Sequence, residues 1–202
     1  MGILGDFTKT VHSIADTVND SLSSALQLPQ PASLRRYHRL NAQSSDIVRL
    51  LKYQPQPIEQ RGAPHAAHTD LGTLTFLFTE QPGLQICTPG TNDWSWVLPI
   101  KSHAIVNLGD AMSLLTNGYL RSCVHKVGPL PNRAMPTRYS FAYMVRPEDH
   151  TPMAGPETSL IPARDPSEPT PTGAQWLQKK FKVLRSESRP NDQDWVMTGR
   201  QV

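Results

Sequence analysis

A chain of 202 residues has the size of one ordinary domain built around a single core. Its nineteen prolines and twelve glycines argue against a helical bundle, yet fall short of low-complexity disorder. Charged residues at 18% and a net charge of +3 are too mild for a nucleic-acid arm or a polybasic membrane anchor, but leave room for an anionic ligand.

Leu4, Phe7, Val11, Ile14, Val18 and Leu22 step by three and four, and the run reaches Leu26 before Pro29 ends it. That spacing predicts a helix over residues 4–27 with one face that must dock on something. Residues 29–45 are polar, and Arg35, Arg36, His38 and Arg39 read as a basic, solvated connection. A short strand follows from Ile47 to Tyr53. Beyond it, brief apolar or alternating segments are separated by turn residues about every ten positions, the pattern of an all-β sandwich or barrel. The predicted strands cover 67–78, 84–88, 94–98, 103–107, 121–127 and 138–146. Turn signals stand between them at Gln81-Pro82-Gly83, Pro89-Gly90-Thr91-Asn92, Asn117-Gly118 and Pro129-Leu130-Pro131-Asn132. Residues 147–172 hold seven prolines and read as an irregular surface loop. A last helix over Gly173–Arg185 places Trp176, Leu177, Phe181 and Leu184 on one side, with Lys179, Lys180, Lys182 and Arg185 as a solubilising face. The polar tail from Ser186 is expected to be loose. The chain thus divides into a helix and connection over 1–45, a β core over 46–146, and a loop, helix and tail over 147–202.

Cys87 and Cys123 are the only cysteines, too few for a disulfide framework and wrongly spaced for a Cys-x-x-Cys knuckle. The opening MGILGDF has too short an apolar run for an export signal, and Asp6 stands where myristoylation needs Ser or Thr. No stretch approaches the roughly 18 apolar residues of a membrane span. The expectation is a cytoplasmic protein without nucleic-acid or membrane partners; the pattern leaves its oligomeric state open.

His68-Thr69-Asp70 is the first group with chemical content. On a strand, residues i and i+2 share a face, so an imidazole and a carboxylate would enter one interior as a two-ligand metal arm. His125, in the strand-like run from Arg121 to Val127, is the best third ligand. Two histidines and one carboxylate form the facial triad that leaves open positions on non-haem Fe(II). A zinc reading of His65 and His68 in HAAH, joined by His125, is the competing use of the same region. His12, His38, His103 and His150 read as structural or exposed, and Asp110 as satisfying a turn.

The stretches HTDLGTLT at 68–75, GLQI at 83–86, WSWVLP at 94–99, NLGDAMSLLTNG at 107–118, SCVHKV at 122–127 and RYSFAY at 138–143 occur in this order. Together they resemble the Fe(II)- and 2-oxoglutarate-dependent oxygenases of the isopenicillin N synthase-like superfamily over about residues 46–146. The resemblance implies a mainly β fold with flanking helices, a double-stranded β-helix or jelly roll with a metal inside one mouth. It implies His68, Asp70 and His125 as iron ligands, and Arg138 and Ser140 as the pair holding the distal carboxylate of 2-oxoglutarate. A guanidinium fork and a neighbouring hydroxyl suit that carboxylate. Tyr53 resembles the tyrosine that also touches the cosubstrate, although the family often has an asparagine two positions earlier, where this chain has Leu51. Fe(II), 2-oxoglutarate and dioxygen would then serve the hydroxylation, desaturation or ring chemistry of a small organic molecule, as in secondary metabolism. Continuing the alternation from Arg138 and Ser140 adds Ala142 and Met144 to the expected pocket lining, and alternation from Asp70 adds Leu74 and Phe76.

Relatives in that family carry helices and strands ahead of the helix that here begins at Leu4, so the jelly roll is expected to be incomplete at its N-terminus. The interval of thirteen residues from His125 to Arg138 contains Pro129, Pro131 and Pro136 and reads as an enlarged hairpin loop. Three functions stay open on the residues alone: an active oxygenase, a metal-binding or interaction protein that has lost catalysis, and a zinc hydrolase using His65, His68 and His125.

Overall fold

A computed structural model describes residues 2–60 and 65–185. The first helix, α1, runs over Ile3–Ala25 and stops as Gln27 turns to a positive φ of 57° ahead of Pro29. Its buried stripe contains Val11 and Ala15, with Phe7, Val18 and Leu22 packed beside them. Leu4 and Ile14, expected on that stripe, are 57% and 49% exposed. The buried face is instead partly polar. His12 lies 3.1 Å from the Tyr143 hydroxyl and 2.6 Å from the His38 carbonyl. Ser23 Oγ accepts the Leu34 amide proton at 2.9 Å and donates to the Asn19 carbonyl at 2.6 Å. His38 is buried as well, not part of a solvated connection. Its Nδ1 faces the Leu34 carbonyl at 2.8 Å and its Nε2 the Thr73 hydroxyl at 2.8 Å, and burial keeps the imidazole below its ordinary pKa.

Eight strands follow: β1 Ile47–Tyr53, β2 His65–His68, β3 Leu74–Phe78, β4 Leu84–Cys87, β5 Trp94–Val97, β6 Ile105–Leu108, β7 His125–Val127 and β8 Arg138–Val145. They form two antiparallel four-stranded sheets, ordered β1-β8-β3-β6 and β2-β7-β4-β5. Successive strands switch sheets except at the β4–β5 hairpin, which is the winding of the double-stranded β-helix; the sheets do not close into a barrel. Among the described residues each sheet has four members.

The expected continuous strand over 67–78 is broken. Residues 69–73 leave β2 and cross to the other sheet before β3 begins. The crossing is pinned from three sides. The Thr73 amide donates to the Val145 carbonyl at 2.8 Å, the Asp110 amide to the Asp70 carbonyl at 2.8 Å, and the Ala111 amide to the Gly72 carbonyl at 3.1 Å. Gly109 lies so close to the Asp70 and Gly72 carbonyls that a Cβ there would collide with backbone. The break resets the alternation, so Leu74 and Phe76 turn out of the interior and pack with Val11, Ala15, Tyr143 and Val145 beneath α1.

A short helix absent from the sequence expectations, α2, spans Asp110–Leu115 and buries Ala111, Met112 and Leu115. Asp110 therefore opens a helix instead of closing a turn. The final helix α3, Gly173–Arg185, falls where expected, but Lys180 is not on a solvated face. It is 5% exposed, and its Nζ lies 3.5 Å from Oδ2 of Asp110, itself 1% exposed. The proline-rich stretch before α3 is tied down by Glu148, which accepts from Arg39 at 2.7 and 2.6 Å. Among the described residues no helix is long and apolar enough to cross a membrane. The tail from Ser186 lies outside the described residues.

Two outcomes follow from these contacts. Lys180→Met leaves the Asp110 carboxylate buried without its cation and is expected to lower the unfolding free energy by about 3–5 kcal/mol in urea denaturation. Adding Asp110→Asn is expected to recover part of the loss, and a double variant no more stable than the single one would count against the pair as the tie that docks α3. Gly109→Ala is expected to cost at least about 2 kcal/mol by the same measurement, because backbone atoms and not a flexible side chain must give way.

Candidate metal centre and cosubstrate pocket

Between the two sheets lies a cavity of about 280 Å³, lined from both faces. His68, the last residue of β2, sits directly opposite His125, the first of β7, with ring centroids 4.3 Å apart. Asp70 enters from the crossing, held there by the Asp110 amide on its own carbonyl. The sequence pattern places His68 and Asp70 on one strand; in the structure the strand ends between them, yet both side chains reach the same cavity. Asp70 Oδ1 is 3.8 Å from His68 Nε2 and 3.9 Å from His125 Nε2. Each residue offers a donor atom within 4.8 Å of the others.

Neighbouring groups prepare those donors. The Nδ1 of His68 pairs with the Ala66 carbonyl at 2.8 Å, and that of His125 with the Cys123 carbonyl at 3.0 Å. A carbonyl only accepts, so both Nδ1 atoms carry the proton and both Nε2 lone pairs face the cavity. Burial, then the charge of His125, hold the His68 imidazole below its ordinary pKa against the pull of Ala66 and Asp70. Burial alone would raise the Asp70 carboxyl, but His125, the Asn107 amide, the Thr75 hydroxyl and His68 together bring it below the usual value. Asn107 donates from Nδ2 to Asp70 Oδ2 at 2.9 Å, leaving Oδ1 turned toward the histidines. Two imidazoles presenting Nε2 and a carboxylate with one oxygen turned toward them are the donor set of the facial triad, so these residues fit Fe(II). Cys123 also lines the cavity, but burial, Asp70 and Cys87 raise its thiol pKa and keep it protonated. The zinc alternative needs the side chain of His65, which lies outside the described residues.

The opposite wall is the β1–β8 ladder, where Tyr53 pairs with Arg138, Leu51 with Ser140 and Arg49 with Ala142. All six line the cavity, and Met144 extends the row. Arg138 is 1% exposed, and neither its Nε nor its Nη2 has a hydrogen-bond partner. Its guanidinium lies 5.1 Å from the centre of the Tyr53 ring. Burial lowers its pKa and Tyr53 partly restores it, but a guanidinium stays charged under all ordinary conditions. Gly83, at a φ of +134°, keeps the space beside it open, since a Cβ there would sit 3.4 Å from Arg138 Nε. Ser140 is buried beside it on the same face.

The expected pocket lining needs correction at two positions. Leu74 and Phe76 do not reach the cavity; the broken strand hands their places to Thr75 and Leu77. Sequence reasoning also missed Asn107 and Arg49. Alternation through β6 from Ile105 would have found the first. The second stands two residues before Leu51 and four before Tyr53, on the same face of β1.

Comparison with known proteins bears on this geometry. The profile of the 2OG-Fe(II) oxygenase superfamily matches residues 44–147. The 2-oxoglutarate-dependent dioxygenase frbH of Dothideomycetidae sp. is 30% identical over 98% of this chain and 58% of its own. The 2-oxoglutarate-dependent dioxygenase iboH of Amanita muscaria is 31% identical over 96% of this chain and 90% of its own. Against most such relatives the chain spans about half their length, as with the 55% of gloE from Glarea lozoyensis. Among solved structures, a full-length Neurospora crassa protein in complex with alpha-KG and thymine superposes with a TM-score of 0.74, at 21% identity over 90% of this chain and 56% of its own. With the profile covering half the sequence and the Amanita relative matched along nine tenths of its length, the chain belongs to the 2OG-Fe(II) oxygenase superfamily.

Proposed function

We propose that this chain oxidises a small organic molecule with Fe(II), 2-oxoglutarate and dioxygen, by hydroxylation, desaturation or ring chemistry in secondary metabolism, and that it works in the cytoplasm without nucleic-acid or membrane partners. The observation that carries the reading is Arg138, a buried cation whose Nε and Nη2 have no partner, facing the same cavity as His68, Asp70 and His125. Unpaired buried charge is costly, and a dicarboxylate that also reaches the three donors would offset the cost at one end while ligating at the other.

His68 and His125 would hold the metal through Nε2 and Asp70 through Oδ1. Fe(II), when bound, supplies open coordination positions and the oxidising chemistry that turns 2-oxoglutarate to succinate and carbon dioxide as the substrate is oxidised. Arg138 and Ser140 anchor and orient the distal carboxylate, Tyr53 covers the guanidinium face, and Asn107 keeps Asp70 single-toothed. Leu77, Ile105 and Val97 line the cavity with apolar surface and limit its water.

Anaerobic addition of 2-oxoglutarate to the Fe(II)-loaded chain is expected to produce a weak visible charge-transfer band, absent in Arg138→Ala; no band in the parent chain overturns the cosubstrate assignment. Succinate release with Fe(II), 2-oxoglutarate, oxygen and ascorbate as two-electron reductant is expected in the parent and not in His68→Ala, and a chain that binds both yet releases none lacks the proposed activity. Asn107→Ala is expected to weaken Fe(II) binding about 10–100-fold, read by metal titration. Ser140→Ala is expected to weaken 2-oxoglutarate binding by about 1 kcal/mol, roughly fivefold, with Fe(II) affinity unchanged.

A further inference from the structure

Arg138 is not the only guanidinium on the cavity wall. Arg49 lines the same cavity from β1, opposite the small side chain of Ala142. Arg138 is closed off from water, whereas Arg49 is exposed, and no hydrogen bond or ion pair occupies it among the described residues. The acids that could neutralise it are committed elsewhere. Asp46 accepts from the Tyr143 hydroxyl and the Arg146 amide, each at 2.7 Å, and Asp70 faces the two histidines. The other charged neighbours share its sign or are neutral. Arg49 adds to burial and His125 in lowering the pKa of His68, and it opposes the charge of Arg146, which the Ser45 carbonyl holds at 2.7 Å.

The two arginines therefore stand at opposite ends of one ladder. Four positions of extended strand separate the Arg138–Tyr53 rung from the Ala142–Arg49 rung, about 13 Å. One end is dry and takes its anion into the closed part of the cavity; the other is wet and stands at the mouth. The walls beside the ladder are largely apolar, with Leu51 between the two rungs and Leu77 and Ile105 level with Ala142. A fork of donors left without an internal counterion, over an apolar cavity, matches a planar anion joined to an apolar body.

We infer that Arg49 selects a substrate carrying a carboxylate on a small apolar body, holding the carboxylate at the mouth while the body extends toward His68, Asp70 and His125. This rests on the oxygenase reading above and names its substrate class. The charged end stays where Arg49 is exposed, and the apolar walls of the cavity take the body.

Cinnamate and cinnamamide test this, since they share a shape and differ in charge. They are titrated calorimetrically, without oxygen, into the 202-residue chain saturated with Fe(II) and 2-oxoglutarate. The parent is expected to prefer cinnamate by about tenfold, or ~1.4 kcal/mol. In Arg49→Gln the preference is expected to fall within about twofold, with cinnamamide affinity and the 2-oxoglutarate band unchanged, while Arg49→Lys keeps most of it. A parent with no preference, including one that binds neither probe, or an Arg49→Gln chain that retains the preference, overturns the assignment. The 2-oxoglutarate band of the parent, read in the same samples, separates this from failure of the cosubstrate reading: a parent that shows the band but no cinnamate preference overturns the Arg49 assignment alone.

Discussion

The structure turns on the five residues that carry the chain from β2 to β3. A strand that ran straight through 69–73 would stay in one sheet and leave the second without its partner. The crossing is instead held by amides from two other parts of the fold: Asp110 and Ala111 at the start of α2 donate into it, and its own Thr73 donates to Val145 at the end of β8. These bonds join the ends of β3, β6 and β8 at the point where Asp70 leaves the backbone. The carboxylate is thereby fixed by main-chain geometry shared among elements far apart in sequence. Glycine at 72 and 109 is what lets those backbones approach, since a Cβ at either would meet a carbonyl.

The same crossing ties the active face to the helical layer. The Thr73 hydroxyl contacts the His38 ring, and the His38 carbonyl receives His12 of α1, which in turn touches the Tyr143 hydroxyl on β8. Tyr143 closes the network on Asp46, whose charge together with burial pushes the phenol pKa upward, so it remains a donor. Each link is a buried polar group that is expensive to leave unpaired, and each is paired by a residue from another element. The helix therefore does more than cover the outer face of the β1-β8-β3-β6 sheet. Through His38 it holds Thr73 at the end of the crossing, and the crossing holds Asp70.

Much of this was legible in the sequence where local pattern and chemistry coincide. The spacing of Phe7, Val11, Val18 and Leu22 gave α1 nearly to its ends, and the alternation of RYSFAY placed Arg138, Ser140, Ala142 and Met144 on one inward face, as the cavity lining has it. Pattern failed where tertiary bonds override it. HTDLGTLTF reads as one strand because nothing local records the Val145, Asp110 and Ala111 partners, so Leu74 and Phe76 were assigned to the wrong side of the sheet. Lys180 looked like one more surface lysine because its partner lies seventy positions away on α2. Asn107 was hidden for a similar reason: its role depends on the β3–β6 register that sets it opposite Thr75, beside Asp70.

The division of charge along the cavity has a physical logic that the individual residues do not reveal. A buried guanidinium is tolerable only if its ligand enters on every catalytic cycle, which suits a cosubstrate common to all turnovers and a closed, preformed end. A guanidinium at the mouth costs little when unliganded, because water solvates it, and can be replaced over evolutionary time without disturbing the fold. Arg138 lies deep and Arg49 shallow on one ladder, so the proposed cosubstrate and substrate anions would be held at separate ends. A site on a shared fold can in this way hold one anion in its dry part and leave its exposed part to a second ligand.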